Sequence, residues 1–527
     1  MEVFKVVIAL LVGGALLAAL ARRIGAPYPA LVALAGAVLA LVPGVPTLVL
    51  DPELALTLFV APVLVDAAFD ASLRDLRSNW RPVTSLALGA VALTVAVAAI
   101  VAHALVPEMP WSAAIALGAI VAPPDAAAAT AVLRQLRPPY RMLVILEGES
   151  LFNDASALLI YRLAVGATLV GTLSGWSILP TLLGVTLGSA LLGIVLAWSI
   201  LKVFARIHDM ATAVILQFCC SFGVWTLAEQ MHLSGIITCV VFAMSASRKS
   251  SEFMPARLRI QAWAVWEVAV FVLNVLAFVL VGFQLKLIVA RASGHLGDYA
   301  IVAAAVCAAV ILARMAWVTA AAGVVRWKHS TGRKKARTSD AVGLNPKSAA
   351  VVGWCGMRGT VTLAAALALP ISFPQRDMVL ATAFGVTLGT LVLQGLTLRP
   401  ILLWLQLRDE GQVEHELLLA RLEILRAAIS AIATCPGAES SGHVRQTFEM
   451  QLSRAEKDFN GASLSQHKAD YTSKNGEVSA ALAAIEGQRR CLMALRTEGR
   501  IGDEAFHRIE EELDWMELGW EQALRFE

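Results

Sequence analysis

Between Ile145 and Arg162 the chain reads ILEGESLFNDASALLIYR, which sets Glu147, Glu149, Asn153 and Asp154 within eight residues of one another in an otherwise apolar run. If the run is a helix that begins near residue 142, Asp154 lies about twelve residues in. At about 1.5 Å per residue that is roughly 18 Å, near the middle of a hydrocarbon core about 30 Å thick. An ionisable group at that depth costs at least about 2.5–3.5 kcal/mol on insertion scales, so it seldom persists without a task. Ser150 and Asp154 are four apart and share one helix face, while Glu149 and Asn153 share the adjacent one. Such a stripe offers oxygen ligands to a hard monovalent cation. A carboxylate in a partly dehydrated site also binds a proton readily, because desolvation disfavours its charged form. Cation and proton then compete for one group. A carboxylate that only pairs with a neighbouring helix is the alternative.

Two further segments carry polar residues at membrane depth. AIVAPPDAAAAT places Pro123 and Pro124 directly before Asp125. The prolines remove two backbone donors and clash with the preceding turn, so a helix must break there. A break of this kind is tolerated only where it lines a polar cavity or is buried in protein; a plain kink is the alternative. GWCGMRGTVT sets Gly353, Gly356 and Gly359 around Arg358, about ten residues into its apolar run. Close helix packing with a snorkelling arginine is the alternative there.

These segments belong to a chain built for a membrane. Of its 527 residues, 58% are hydrophobic and 16% charged, with a mean hydropathy of +0.69; soluble domains carry about 25% charged residues. This excludes a soluble enzyme, and a net charge of +3 with scattered basic residues excludes a nucleic-acid partner. The seven cysteines follow no metal or disulfide spacing. About thirteen apolar runs recur up to residue 405, at 3–21, 29–43, 54–70, 83–106, 111–133, 142–170, 176–201, 211–229, 233–247, 262–282, 298–325, 348–370 and 378–405. The first has no convincing signal-peptide cleavage site and is kept as a span.

Lys and Arg crowd alternate loops, from Arg22 and Arg23 to the cluster between Arg326 and Arg337, whereas the other loops hold only Lys286, Arg291 and Arg376. The positive-inside rule then puts the N-terminus outside and the C-terminus in the cytoplasm; the expected location is a bacterial inner membrane, which the Lys and Arg pattern does not itself identify. Spans five and twelve, the two interrupted ones, are separated by seven and cross in opposite directions, the relation of corresponding elements in inverted-topology repeats. Residues 1–405 form the transmembrane domain, and 406–527 a cytoplasmic helical tail. In that tail HELLLARLEILRAAISAI and EAFHRIEEELDWMELGWEQAL read as helices, and the Gly- and Ser-rich stretch between them as loop.

The residues resemble the sodium/proton exchangers of the monovalent cation:proton antiporter superfamily, in the bacterial branch with an Asn-Asp pair. GESLFNDASALLIYR is similar to that family's ESxxND signature, GMRGTVTLAAALALP to its GLRG motif and TLRPILLWL to the end of its last span. The resemblance implies an all-α polytopic exchanger with broken crossing helices five and twelve, which assembles as a homodimer and needs no cofactor beyond the transported Na+, or another monovalent cation, and H+. It implies that Asp154 binds cation or proton, with Ser150 as a further ligand to Na+, Asn153 shaping the site and Asp125 at the first break. That break reads Pro124-Asp125-Ala126, without the threonine common in the family. Glu149 would pair with Arg314 of ILARMAW as a structural ion pair, and Arg358 would sit on the crossing helix. Asp66, with Asp70 one turn on, would line a cytoplasmic funnel or simply end a helix. Roughly electroneutral exchange is implied as well.

Competing readings are a transporter of another solute, for which Arg162 is the one surplus cation, and an ion-sensing membrane protein that signals through its tail. His103 and His232 stand near span ends without a matching nucleophile, so no intramembrane enzyme is read.

Overall fold

The computed structural model describes residues 2–42, 54–133, 138–170, 175–253, 256–291, 296–330, 345–407, 412–434 and 442–464, apart from single positions inside those ranges, and a few isolated residues elsewhere. The chain divides into two compact units, Met1–Asp409 and Glu410–Glu527. Among the described residues every regular element is helical.

In the first unit α1 is Glu2–Ile24 and α2 is Tyr28–Ala40; a π-helical turn, Leu56–Val60, leads into α3, Ala61–Asp70. A short α4, Leu73–Ser78, is capped by Ser72, whose hydroxyl accepts the Asp75 amide at 3.3 Å. Then come α5 (Trp80–Leu105), α6 (Trp111–Val121), α7 (Ala126–Leu133), α8 (Tyr140–Val170), α9 (Gly175–Phe204), α10 (Met210–Gln230) and α11 (Gly235–Phe253). The unit ends with α12 (Ala256–Arg291), α13 (Leu296–Ser330), α14 (Pro346–Trp354), α15 (Thr360–Leu367) and α16 (Arg376–Leu405). Each of the thirteen apolar runs falls on one helix or on a pair of helices. Among the described residues seven helical segments are long and apolar enough to cross a bilayer by themselves.

The helices pack mainly in two groups, α1–α3 with α9–α12, and α5–α8 with α13–α16. In lipid no hydrophobic drive favours helix over tail, so close approach by small residues and interhelical polar contacts must hold such groups together. The crossing of α2 and α12 shows this. Ala30, Ala33, Gly36, Ala37 and Ala40 line the buried face of α2, and a Cβ on Gly36 would lie 2.6 Å from the Val279 carbonyl oxygen. Gly282 is equally tight, since its Cβ would stand 2.5 Å from the Ala33 carbonyl oxygen. Backbone cannot yield as a side chain can. Gly282→Val is therefore expected to destabilise the protein by about 1–3 kcal/mol, the cost of overpacking, read as a lowered melting temperature in detergent. Gly13→Val, at a position where no described residue stands within 4 Å of an added Cβ, serves as the control.

The second unit contains α17, Gln412–Thr434, and α18, Gly442–Leu464. The first matches the helix read from HELLLARLEILRAAISAI. The second corrects the sequence reading, which made this stretch loop. Apart from Ser453 its Gly and Ser residues lie at the two ends, and HVRQTFEMQLSRAEKDF between them consists largely of residues that tolerate a helix. The helix read from EAFHRIEEELDWMELGWEQAL lies outside the described residues except at isolated positions, as do Arg134 and Arg137 and the basic cluster at 331–337.

Candidate functional site

The two interrupted helices meet at their breaks. Regular helix is interrupted over Ala122–Asp125 between α6 and α7, and again over Cys355–Gly359 between α14 and α15. The Asp125 amide donates to the Met357 carbonyl oxygen at 2.6 Å, which joins one break to the other. The half-helices α6 and α14 thus end beside each other, and α7 and α15 begin there. Helix ends present carbonyls at partial negative charge, and helix starts present amides at partial positive charge. The sequence meets each need with a side chain of opposite sign.

Arg358 serves the carbonyl ends. Its Nε donates to the Val121 carbonyl oxygen at 2.9 Å, its Nη2 to Ala122 at 3.3 Å, and its Nη1 to the Gly356 carbonyl oxygen. Its own amide donates to Thr390 Oγ1 of α16 at 3.0 Å. With a relative exposure of 0% it does not snorkel. Asp125 serves the amide ends: its Oδ1 accepts the Ala127 amide at 2.9 Å and so caps α7. Gly359, in extended backbone that any residue could adopt, is required for space, because a Cβ there would run into the Asp125 carboxylate.

The helix α8 passes this crossing. Asn153, 0% exposed, donates from Nδ2 to the Pro124 carbonyl oxygen at 3.0 Å, a carbonyl released by the break; its Oδ1 has no partner among the described residues. Asp154 beside it is 8% exposed, close enough to Asp125 for the two charges to interact, and it makes no hydrogen bond or ion pair among the described residues. Ser150, one turn earlier, is half-buried. Ser156, half a turn on, donates to the Ala87 carbonyl oxygen at 2.7 Å. That carbonyl belongs to the π-helical stretch Ser85–Ala90 of α5, where Trp317 Nε1 also donates to the Ser85 carbonyl oxygen at 3.0 Å.

On another face of α8, Glu149 forms a buried pair with Arg314 of α13. Both Glu149 oxygens are engaged, Nη2 to Oε2 at 2.8 Å and Nη1 to Oε1, and Arg314 Nη2 also donates to the Val352 carbonyl oxygen at 3.2 Å in the last turn of α14. The partners are 1% and 2% exposed.

Asp125, Asn153, Asp154 and Arg358 therefore converge, with Ser150 one turn away. Asp66 does not join them. It lines, with Asp70, a separate cavity of about 370 Å3 walled by α3 and α9–α12. Arg162 is not a surplus cation facing a cavity either, since its Nη2 donates to Glu229 of α10 at 2.9 and 3.0 Å. The sequence analysis missed Thr390 of α16, whose hydroxyl oxygen accepts the Arg358 amide at 3.0 Å.

The profile of the family described as sodium/hydrogen exchanger, transmembrane, matches residues 6–404. The chain belongs to that exchanger family. Among relatives of this exchanger, an uncharacterized Na+/H+ exchanger of Mycobacterium bovis is 28% identical, over 97% of this chain and 95% of its own length. A sodium, potassium, lithium and rubidium/H+ antiporter of Bacillus subtilis is 27% identical, over 89% of this chain and 71% of its own. The solved structure of the sodium proton antiporter MjNhaP1 from Methanocaldococcus jannaschii shares the fold, with a TM-score of 0.58 at 18% identity, over 77% of this exchanger and 99% of that chain.

Proposed function

We propose that this exchanger moves a monovalent cation, Na+ with K+ or Li+ as further substrates, against H+ by alternating access, and that cation and proton compete for Asp154. The observation that carries the reading is a nearly buried carboxylate with no ion-pair or hydrogen-bond partner among the described residues, set beside two broken helices whose end charges are already answered by Arg358 and Asp125. The field at the crossing is balanced without Asp154, so that group is left to a mobile ion. Na+ or H+ satisfies it in turn, and since both occupy one carboxylate, neither crosses with the other. Ser150 and the unpartnered Oδ1 of Asn153 are further oxygen ligands for a hard cation. The Glu149–Arg314 pair fixes α8 against α13 and α14 and takes no part in binding. The groups α1–α3 with α9–α12 and α5–α8 with α13–α16 are the bodies that move against each other.

The exchanger works as a homodimer in the cell inner membrane, with the N-terminus outside and residues 406–527 in the cytoplasm. Exchange is roughly electroneutral. The pairing of Arg162 with Glu229 removes the feature that favoured another solute.

Purified protein in proteoliposomes loaded with a pH-sensitive dye tests the reading. Addition of Na+, K+ or Li+ is expected to evoke proton movement, and the most effective cation gives the ion preference. Silence for all three between about pH 6 and 9, a range that brackets the unperturbed histidine transition, would overturn it.

A further inference from the structure

The ends of α3 and α11 lie side by side, because Ser247 Oγ donates to the Phe69 carbonyl oxygen at 2.6 Å. The next residue, Arg248, is exposed. The short helix α4, which follows α3 after two residues, faces it across a cleft of about 610 Å3 lined by Leu73, Arg74, Arg77, Ser78 and Arg248. Three guanidiniums thus enclose a cleft whose lining holds no carboxylate. Asp75 stands 3.8 Å from Arg74 Nε, and its other oxygen accepts the Tyr140 hydroxyl at 2.9 Å. Arg77 and Arg248 make no hydrogen bond or ion pair among the described residues. Like charges so gathered repel, and an anion between them removes the repulsion. The two walls of the cleft belong to different bodies. Whereas α11 is part of the group α1–α3 with α9–α12, α4 is fastened to α8, the helix of Asp154. Beside the Tyr140 bond, Arg141 Nε donates to Asn79 Oδ1 at 2.8 Å, and a Cβ on Gly148 of α8 would run into Leu76.

We infer that this cleft binds a phosphate group, held by Arg77 and Arg248 with Arg74 beside them, and that the bound phosphate ties α4 to α11 and so slows exchange. A carboxylate offers two oxygens and matches one guanidinium fork, whereas a phosphate monoester offers three in a tetrahedral arrangement and meets forks that arrive from two sides. Trp80, 56% exposed, opens α5 just past the cleft, with the Arg81 guanidinium 5.5 Å from its ring centroid. Exposed tryptophans at a helix end mark the headgroup level of a bilayer. A lipid headgroup and a soluble phosphate ester present the same oxygens at that level. On the proposed orientation the cleft faces the cytoplasm, where basic pockets between helices meet lipid phosphates. A phosphate bound to both walls favours the arrangement of the two groups in which the walls are close, and so lowers the rate at which they alternate. The inference rests on the exchanger reading for the motion that is slowed, and on the cleft alone for the binding.

The experiment compares wild type, Arg77→Gln, Arg248→Gln, the double variant and Arg23→Gln, the last an exposed arginine outside the cleft that controls for the loss of one positive charge. Melting of the purified protein is followed with pyrophosphate or with short-chain phosphatidic acid, against sodium chloride of equal ionic strength. Cation-evoked proton movement is followed in phosphatidylcholine liposomes with and without phosphatidic acid, and with pyrophosphate on both sides. A phosphate source is expected to raise the wild-type melting temperature and to slow its exchange by about threefold, a response that weakens as salt is added. Each single variant raises the half-effective phosphate concentration by about fivefold, as fits the loss of one charge-assisted contact at an exposed site. The double variant loses both responses, keeps the phosphate-free rate of exchange, and Arg23→Gln behaves as wild type. Responses to phosphatidic acid alone name a lipid headgroup as the ligand, and responses to pyrophosphate name a soluble phosphate; either supports the site. Equal responses in wild type and the double variant, as surface charge alone would give, overturn the inference, and so does no response to either source. A melting response that leaves the exchange of an active wild type unchanged overturns it as well. A cleft-dependent melting response in a protein that moves no protons upholds the site and overturns the exchanger reading instead.

Discussion

Asp154→Ala reduces cation-evoked proton movement to the level of protein-free liposomes while the protein stays folded. The two halves of this outcome have separate causes. Asp154 makes no hydrogen bond or ion pair among the described residues, so its removal leaves no orphaned donor and no unpaired partner charge, the usual origins of large destabilisation. Its loss takes away the one carboxylate at the crossing that has no structural duty. Asp125 cannot replace it, because Oδ1 of Asp125 already accepts the Ala127 amide at 2.9 Å. Asp125→Asn separates these duties further. The amide oxygen still caps α7, so melting in detergent changes little, whereas the negative charge facing the cation is gone and apparent affinity falls. A variant at Asp154 that retains exchange at the wild-type rate would refute the assignment of the shared site.

What could be read in advance was local. Pro123, Pro124 and the glycines around Arg358 announce broken helices because their effect on backbone geometry is confined to a turn or so, and the polar stripe of α8 follows from helical periodicity within ten residues. The joining of the breaks through Asp125 and Met357 is not local, since 232 positions separate them and only packing brings them together. Glu149 and Arg314 are likewise far apart in sequence, and their pairing entered through family resemblance and not through spacing. Arg162 looked like a spare cation for the same reason, with its partner Glu229 67 residues away. The helix α18 was missed because the glycines and serines near its ends weighed more in the reading than the long run of helix-tolerant residues between them.

Breaking the Glu149–Arg314 pair by changing one partner is expected to have the largest effect on stability. Arg314→Leu leaves a carboxylate at a position 1% exposed, deprives it of two charge-assisted hydrogen bonds and removes the donor to the Val352 carbonyl at the end of α14. Orphaning one partner of a buried pair costs about 3–5 kcal/mol, enough to lower both yield and melting temperature markedly. Glu149→Leu leaves the guanidinium with only the Val352 carbonyl and costs a similar amount. The double variant, Glu149→Leu with Arg314→Leu, removes both charges and both desolvation penalties, so its melting temperature is expected to lie above that of either single variant. The physics of the pair predicts this non-additivity. Additive losses in the double variant would mean that each side chain stabilises the bundle through its own packing, and that the ion pair holds nothing together. The same cycle measured for exchange separates structure from binding: if the pair only fixes α8 against α13 and α14, the double variant retains the wild-type half-saturating cation concentration at whatever rate its fold allows. A changed half-saturation would place Glu149 among the cation ligands.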